Sequence, residues 1–312
     1  MKRTGSMAIL LVSGFLGAGK TTLIKHLIKS PVEGVGKMAV LVNEFGEVGI
    51  DGTILAGRDI DVVELTGGCI CCSIKTDFFK AIGEIYGRIR PDLLLVESTG
   101  IAQPGDILDV LSDPTLKQIS RLLKLVTVVD AGFFKVKEVL GSFYINQVRC
   151  ADILILNKVD SVEPEKLEEI EAQLREMNPR TMIFPARYCA IDPLMLMQSF
   201  SEEIPAPKHD HDEDEHTDEL SFQTFSFEDG RPMERDRFVT FLDSLPPTLF
   251  RCKGYIRFHD ASVLLDFTGG RYRMTPSENP RSTALAFIGR NCDSQEILDA
   301  LSQCFRKEPP DR

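Results

Sequence analysis

The chain has 312 residues, 43% of them hydrophobic, with 36 Lys and Arg against 47 Asp and Glu for a formal charge of −11. That length and apolar content suffice for a packed core and exclude a wholly disordered or fibrous chain. Net acidity without clustered basic and aromatic residues argues against nucleic acid as a partner.

At the N-terminus, Lys2 and Arg3 precede a short apolar run, which breaks into glycines too early for a secretory leader. No stretch approaches the roughly 18 apolar residues that cross a bilayer, so no membrane partner and a soluble, cytoplasmic chain are expected. The 8 cysteines then read as reduced thiols and not as a disulfide framework.

Residues 7–12 read as a buried strand and Thr22 to Ser30 as a helix. Between them, Gly14, Phe15, Leu16, Gly17, Ala18, Gly19, Lys20 and Thr21 satisfy the pattern G-x-x-x-x-G-K-[ST]. Glycines there let backbone N–H groups converge on phosphate oxygens where a Cβ would collide. Lys20 supplies a point charge near the β- and γ-phosphates, the Thr21 hydroxyl suits Mg²⁺, and Thr22 opens the helix whose dipole faces the phosphates.

Further along, the apolar run Leu93 to Val96 ends in Glu97-Ser98-Thr99-Gly100. An acid at a strand end with glycine three residues later matches a metal- and γ-phosphate-sensing element: Glu97 reaches Mg²⁺ and the Gly100 N–H faces the γ-phosphate. A polar helix cap is the plainer alternative, and only the order of motifs lifts the first reading. The strand at 152–157 ends in Asn157-Lys158-Val159-Asp160. The Asp160 carboxylate can accept from guanine N1–H and the 2-amino group, a pattern adenine lacks. Asn157 is placed to buttress the loop, and the Lys158 stem to cover one face of the base.

The run Gly67-Gly68-Cys69-Ile70-Cys71-Cys72 lies between these motifs. In an extended loop Cys69 and Cys71 project to one side and Cys72 to the other; a turn at the glycines could bring all three thiolates round one ion. Three thiolates favour Zn²⁺ or Cu(I), and Co²⁺ can take the same tetrahedral geometry. Packing beneath the sheet is the alternative for these three. It is the preferred reading for the scattered Cys150, Cys189, Cys252, Cys292 and Cys304.

With the segment from Asn43 to Gly52 (NEFGEVGIDG), these motifs together resemble the CobW family of GTPases, relatives of the nickel-insertion GTPases, over nearly the whole chain. The resemblance implies a GTP-hydrolysing metallochaperone or metal-cofactor assembly factor using GTP/GDP, Mg²⁺ and Zn²⁺ or Co²⁺. Its partner would be a client metalloprotein or metal-cofactor pathway protein, and a homodimer is possible. It puts Glu44, Glu47 and Asp51 near both the phosphates and the cysteines. Glu47 becomes the preferred fourth metal ligand, and Asp51 a residue that holds Mg²⁺ or orients the attacking water. Some members carry an acid just before the asparagine; Val42 stands there in this chain. A GTP-dependent regulatory switch with a structural metal site and no delivery remains the alternative function.

Strand-like runs at 7–12, 38–43, 60–65, 92–97, 124–129, 152–157 and 181–185 alternate with helical stretches, including Thr76 to Arg90 and Glu163 to Met177. The alternation predicts an α/β fold, a P-loop NTPase with a mostly parallel sheet over residues 1–200. Residues 201–219 hold nine acids against one lysine, about −8 of the whole-chain −11. They read as a linker, and His209, His211 and His216 suggest weak metal capture as readily as a plain solvated segment. Over 220–312, strands at 222–227, 249–258, 262–267 and 283–288 with helices at 234–245 and 294–306 predict a small C-terminal α+β domain for client binding or self-association.

Overall fold

In a computed structural model of the chain, the structure describes residues 6–30, 34–42, 60–64, 73–197, 222–277 and 282–305. The chain divides into two compact units, Met1–Glu215 and His216–Arg312.

Among the described residues, the first unit has seven strands: β1 (Met7–Ser13), β2 (Met38–Val42), β3 (Ile60–Glu64), β4 (Leu93–Glu97), β5 (Ser120–Asp130), β6 (Ile153–Asn157) and β7 (Met182–Ala186). Their order is β3-β2-β4-β1-β5-β6-β7, and every pairing is parallel. Among the described residues, eight α-helices accompany them: α1 (Lys20–Lys29), α2 (Ser73–Arg88), α3 (Pro104–Leu111), α4 (Pro114–Ile119), α5 (Lys137–Leu140), α6 (Ser142–Arg149), α7 (Pro164–Met177) and α8 (Pro193–Met197).

β1 is buried along its whole length because it faces a helical layer on each side. Ala8, Leu10 and Val12 pack with Leu23, Ile24 and Leu27 of α1. Met7, Ile9 and Leu11 pack with Phe78, Ile82 and Ile85 of α2 and with Ile107 and Leu108 of α3. The alternation of a strand thus serves two cores.

Register brings the motif-bearing strand ends into line. Val12 and Val42 both lie opposite Glu97, Val42 lies opposite Glu64, and Asn157 lies between Asp130 and Ala186. In a sheet of this kind ligands bind beyond the C-terminal strand ends, where the order of strands reverses. β5 begins at Ser120, four residues ahead of its expected apolar run, and only Arg121 among those first residues is exposed. The helix expected from Thr76 starts at Ser73, and the one expected from Thr22 starts at Lys20.

The second unit carries β8 (Phe222–Asp229), α9 (Arg235–Ser244), β9 (Leu249–Arg257), β10 (Ser262–Thr268), β11 (Arg271–Pro276), β12 (Thr283–Arg290) and α10 (Ser294–Ser302). The sheet is antiparallel in the order β11-β10-β9-β12-β8. Phe238 and Leu242 of α9 and Ile297 and Leu301 of α10 join Cys252, Leu265, Phe267 and Phe287 in its core. β11 was not among the expected strands. It is reached through Gly269 and Gly270, whose φ values of 56° and 80° match the two-residue turn favoured by hairpins.

Candidate nucleotide site

The loop after β1 depends on glycine for two separate reasons. Gly14 has φ 135° and Gly19 has φ 119°, the region that side chains avoid. A Cβ on Gly14 would stand 2.2 Å from the Val128 carbonyl oxygen, and one on Gly19 would stand 2.5 Å from Asn157 Nδ2. Gly17, at φ 71°, completes the turn. A Cβ on Gly100 would lie 2.7 Å from the Leu16 nitrogen, so the residue after the Glu97 strand supports the loop from below.

Lys20 and Thr21 open α1. Lys20 is 6% exposed, and its ammonium donates to the Phe15 carbonyl at 3.2 Å. The Thr21 hydroxyl donates to Glu97 Oε1 at 2.7 Å, and Glu97 is 1% exposed. Two residues 76 apart in sequence therefore share one point beside the loop. A hydroxyl and a carboxylate are the hard oxygen donors that Mg²⁺ takes, so this pair fits the cation. The buried Ser13 and Ser98 hydroxyls flank the loop without a hydrogen-bond partner among the described residues, which fits a polar ligand there.

On the other side of β1, Asn157 is buried and uses both ends of its amide. Its Nδ2 donates to the Ala18 carbonyl at 2.8 Å, and its Oδ1 accepts from the Cys189 N–H at 2.8 Å. Lys158, at φ 60°, donates to the Gly17 carbonyl at 2.7 Å and to Asp130 Oδ2 at 2.8 Å. Asp160 is exposed at the outer end of the same turn. Thus Gly14, Gly17, Ala18, Gly19, Lys20, Thr21, Thr22, Glu97, Gly100, Asn157, Lys158 and Asp160 all lie at the C-terminal ends of the strands or on the loops and helix starts that follow them.

Two residues escaped the sequence reading. Asp130, which ends β5 and anchors Lys158, left one trace: an acid just after an apolar run. Cys189, isolated in the sequence, does more than pack. It is fully buried, but its thiol also donates to the Gly19 carbonyl at 3.4 Å. Burial pushes that thiol up to about 12, with the Lys158 charge pulling weakly the other way, so it stays neutral and keeps its proton. Tyr188 and Cys189 both adopt left-handed backbone, φ 52° and 53°, and the Tyr188 carbonyl lies 2.9 Å from His26 Nε2 of α1. Strain of that kind, of order 1–3 kcal/mol per residue, persists where surrounding contacts hold it.

Glu44, Glu47 and Asp51 lie outside the described residues, as do Cys69, Cys71 and Cys72. Among the described residues, no group of three or more His, Cys, Asp or Glu side chains could hold a metal ion. No described helix is long and apolar enough to cross a membrane.

Residues 8–185 match the family described as CobW/HypB/UreG, nucleotide-binding domain, and residues 222–305 match the cobalamin synthesis protein cobW C-terminal domain. The chain belongs to the CobW/HypB/UreG family of P-loop GTPases. It is 29% identical to a zinc chaperone CobW of Pseudomonas aeruginosa, over 96% of this chain and 92% of that protein. It is 36% identical to the zinc chaperone YjiA of Escherichia coli, over 60% of this chain and 59% of that protein. Among solved structures, the Zn(II)-bound YjiA GTPase from E. coli aligns over 96% of this chain and 99% of its own, with 24% identity and a TM-score of 0.46.

Within a CobW/HypB/UreG nucleotide-binding domain, the arrangement divides into two halves. Thr21, Glu97 and Lys20 gather charge on the phosphate side. Asn157, Lys158, Asp130 and Cys189 tie the loop after β6 and the loop after β7 to the back of the phosphate loop.

Proposed function

We propose that the chain is a GTP-hydrolysing metallochaperone that carries Zn²⁺, or Co²⁺ in the same geometry, on Cys69, Cys71 and Cys72, with Glu47 as fourth ligand. The names of its relatives support the metal, and the site supports the nucleotide.

In this reading the N–H groups from Gly14 to Thr21 and the Lys20 ammonium receive the β- and γ-phosphates. Asp160 accepts from guanine, and Lys158 covers the base. Thr21 and Glu97 would hold Mg²⁺, which supplies charge neutralisation at the phosphates when bound. Asp51 orients the attacking water, and the Gly100 N–H senses the γ-phosphate. Hydrolysis breaks the bond from the γ-phosphorus to its bridging oxygen, and the departing phosphate takes that sensor's partner with it.

The observation that carries the coupling is the register of Glu64, Val42 and Glu97. β2 leads into the segment of Glu47 and Asp51, and β3 leads into the segment of the cysteines. Both strands therefore end in the row whose third member is the carboxylate bonded to Thr21. A nucleotide-dependent change at Glu97 would bear on the ends of β2 and β3, from which those segments continue in sequence. A coupling of about 3 kcal/mol would change metal affinity more than a hundredfold, ample for capture and release. The N-terminal unit carries this chemistry, residues 201–219 connect, and residues 220–312 serve client recognition or self-association.

The test is Zn²⁺ affinity of anaerobically purified protein loaded with a GTP analogue or with GDP. A tenfold or larger difference (about 1.4 kcal/mol) supports the proposal, and equal affinities refute the coupling. Cys71→Ser should weaken Zn²⁺ binding while leaving GDP affinity intact; loss of both together would make the cysteines structural.

A further inference from the structure

One face of the C-terminal sheet is covered by α9 and α10, and the register defines what the other face presents. Across its middle runs the row Arg273, Asp266, Lys253, Ala286, Ser226. Beside it lies the row Arg271, Thr268, Arg251. Arg257, two positions beyond Tyr255 on β9, extends the same face. Arg251 is buried, which leaves Lys253, Arg257, Arg271 and Arg273 as the accessible bases of this face, against the acids Asp266 and Glu228. Residues 222–305 hold 10 Lys and Arg against 11 Asp and Glu, so the excess of base on this face is local. A solvated sheet face is ordinary in an antiparallel sheet, but one of balanced charge would be expected here.

We propose that this open face docks an acidic polypeptide segment of the protein that receives the metal. Charge complementarity selects the partner's sign. The floor of the middle row is low between Lys253 and the edge strand β8, since Ala286 and Ser226 are small and exposed, so an extended chain can lie across the strands there with its acids toward Lys253 and Arg273. Polypeptide fits better than nucleic acid. Asp266 is exposed between Lys253 and Arg273, where it would meet a phosphate backbone. Tyr255 is only half-exposed between Leu264 and Ala284, and among the described residues this face offers no pair of exposed rings on which bases could stack.

The inference rests on the metallochaperone reading only in calling the partner a client; the binding itself needs neither metal nor nucleotide. The experiment uses the full chain and a fluorescein-labelled decapeptide of alternating glutamate and alanine, titrated at low and at physiological salt. Saturable binding that weakens with salt is expected, with affinity falling about tenfold in Lys253→Glu/Arg273→Glu. Since two new acids beside Asp266 could unfold the unit, Lys253→Gln/Arg273→Gln provides a second measure, with about a threefold loss expected. No saturable binding, or equal binding by both variants, overturns the proposal. Tighter binding of a decauridylate than of the peptide reassigns the face to nucleic acid and overturns it too. So does peptide binding that appears only after deletion of residues 209–219, because the face would then belong to the chain's own acidic segment. Zn²⁺ affinity measured on the same variants separates this outcome from failure of the metal reading.

Discussion

Replacing Asn157 by alanine should uncouple the two halves of the nucleotide site. The side chain is 2% exposed, and it fills one bond to the Ala18 carbonyl and one from the Cys189 N–H, both at 2.8 Å. Leaving a buried backbone group without its partner costs about 1–3 kcal/mol. Two such groups give a loss of about 2–4 kcal/mol after partial relaxation, or roughly 30- to 1,000-fold if it falls on the nucleotide-bound geometry. Competition against a fluorescent GDP measures the loss, with thermal unfolding run in parallel. Inorganic tripolyphosphate, which has no base, should lose affinity as well, because the Ala18 carbonyl belongs to the phosphate loop. If tripolyphosphate binds as to the unaltered chain while GDP weakens, Asn157 acts on the base alone and the buttress reasoning fails. Binding of GDP within about threefold of the unaltered chain would refute it outright, since even one orphaned group predicts more.

Thr21→Ala and Glu97→Gln should each lower GTP turnover by about two orders of magnitude and raise the Mg²⁺ concentration needed for it, read from phosphate release over a Mg²⁺ titration. Gly14→Ala should prevent the phosphate loop from closing, since its Cβ would stand 2.2 Å from the Val128 oxygen at φ 135°; urea unfolding should show a loss of more than about 3 kcal/mol. Stability should fall as pH rises above about 9. Burial pushes Cys189 up to about 12 and Cys304 up to about 11, so between 9 and those values the folded state holds protons that the unfolded chain has released. The urea midpoint measured from pH 8 to 11 should decline, and Cys189→Ala should flatten that decline. An unchanged slope in that variant would locate the proton elsewhere.

What could be read in advance was what is local in the chain. The phosphate loop, the Glu97 strand end and the turn from Asn157 to Asp160 each compress their chemistry into a few neighbouring residues, and the structure places them along one edge of the sheet. The parallel sheet was legible for a related reason: strands buried on both faces must be apolar throughout. β11 was missed because Arg271, Tyr272 and Arg273 look like a polar loop. At the edge of a sheet with one open face such residues make a strand, and the Gly269-Gly270 pair was the available sign. Cys189 and Asp130 were illegible for a deeper reason. Cys189 meets Gly19 across 170 residues of sequence, and Asp130 meets Lys158 across 28, so no spacing rule connects them. Their roles exist only once β5, β6 and β7 stand side by side. That difference bears on how the molecule is tuned. On the proposed reading, the motif residues specify which nucleotide chemistry is possible, whereas Cys189 and Asp130 adjust how firmly the loops after β6 and β7 grip the phosphate loop. Substitution at those two positions should therefore shift nucleotide affinity and exchange while leaving guanine selectivity in place.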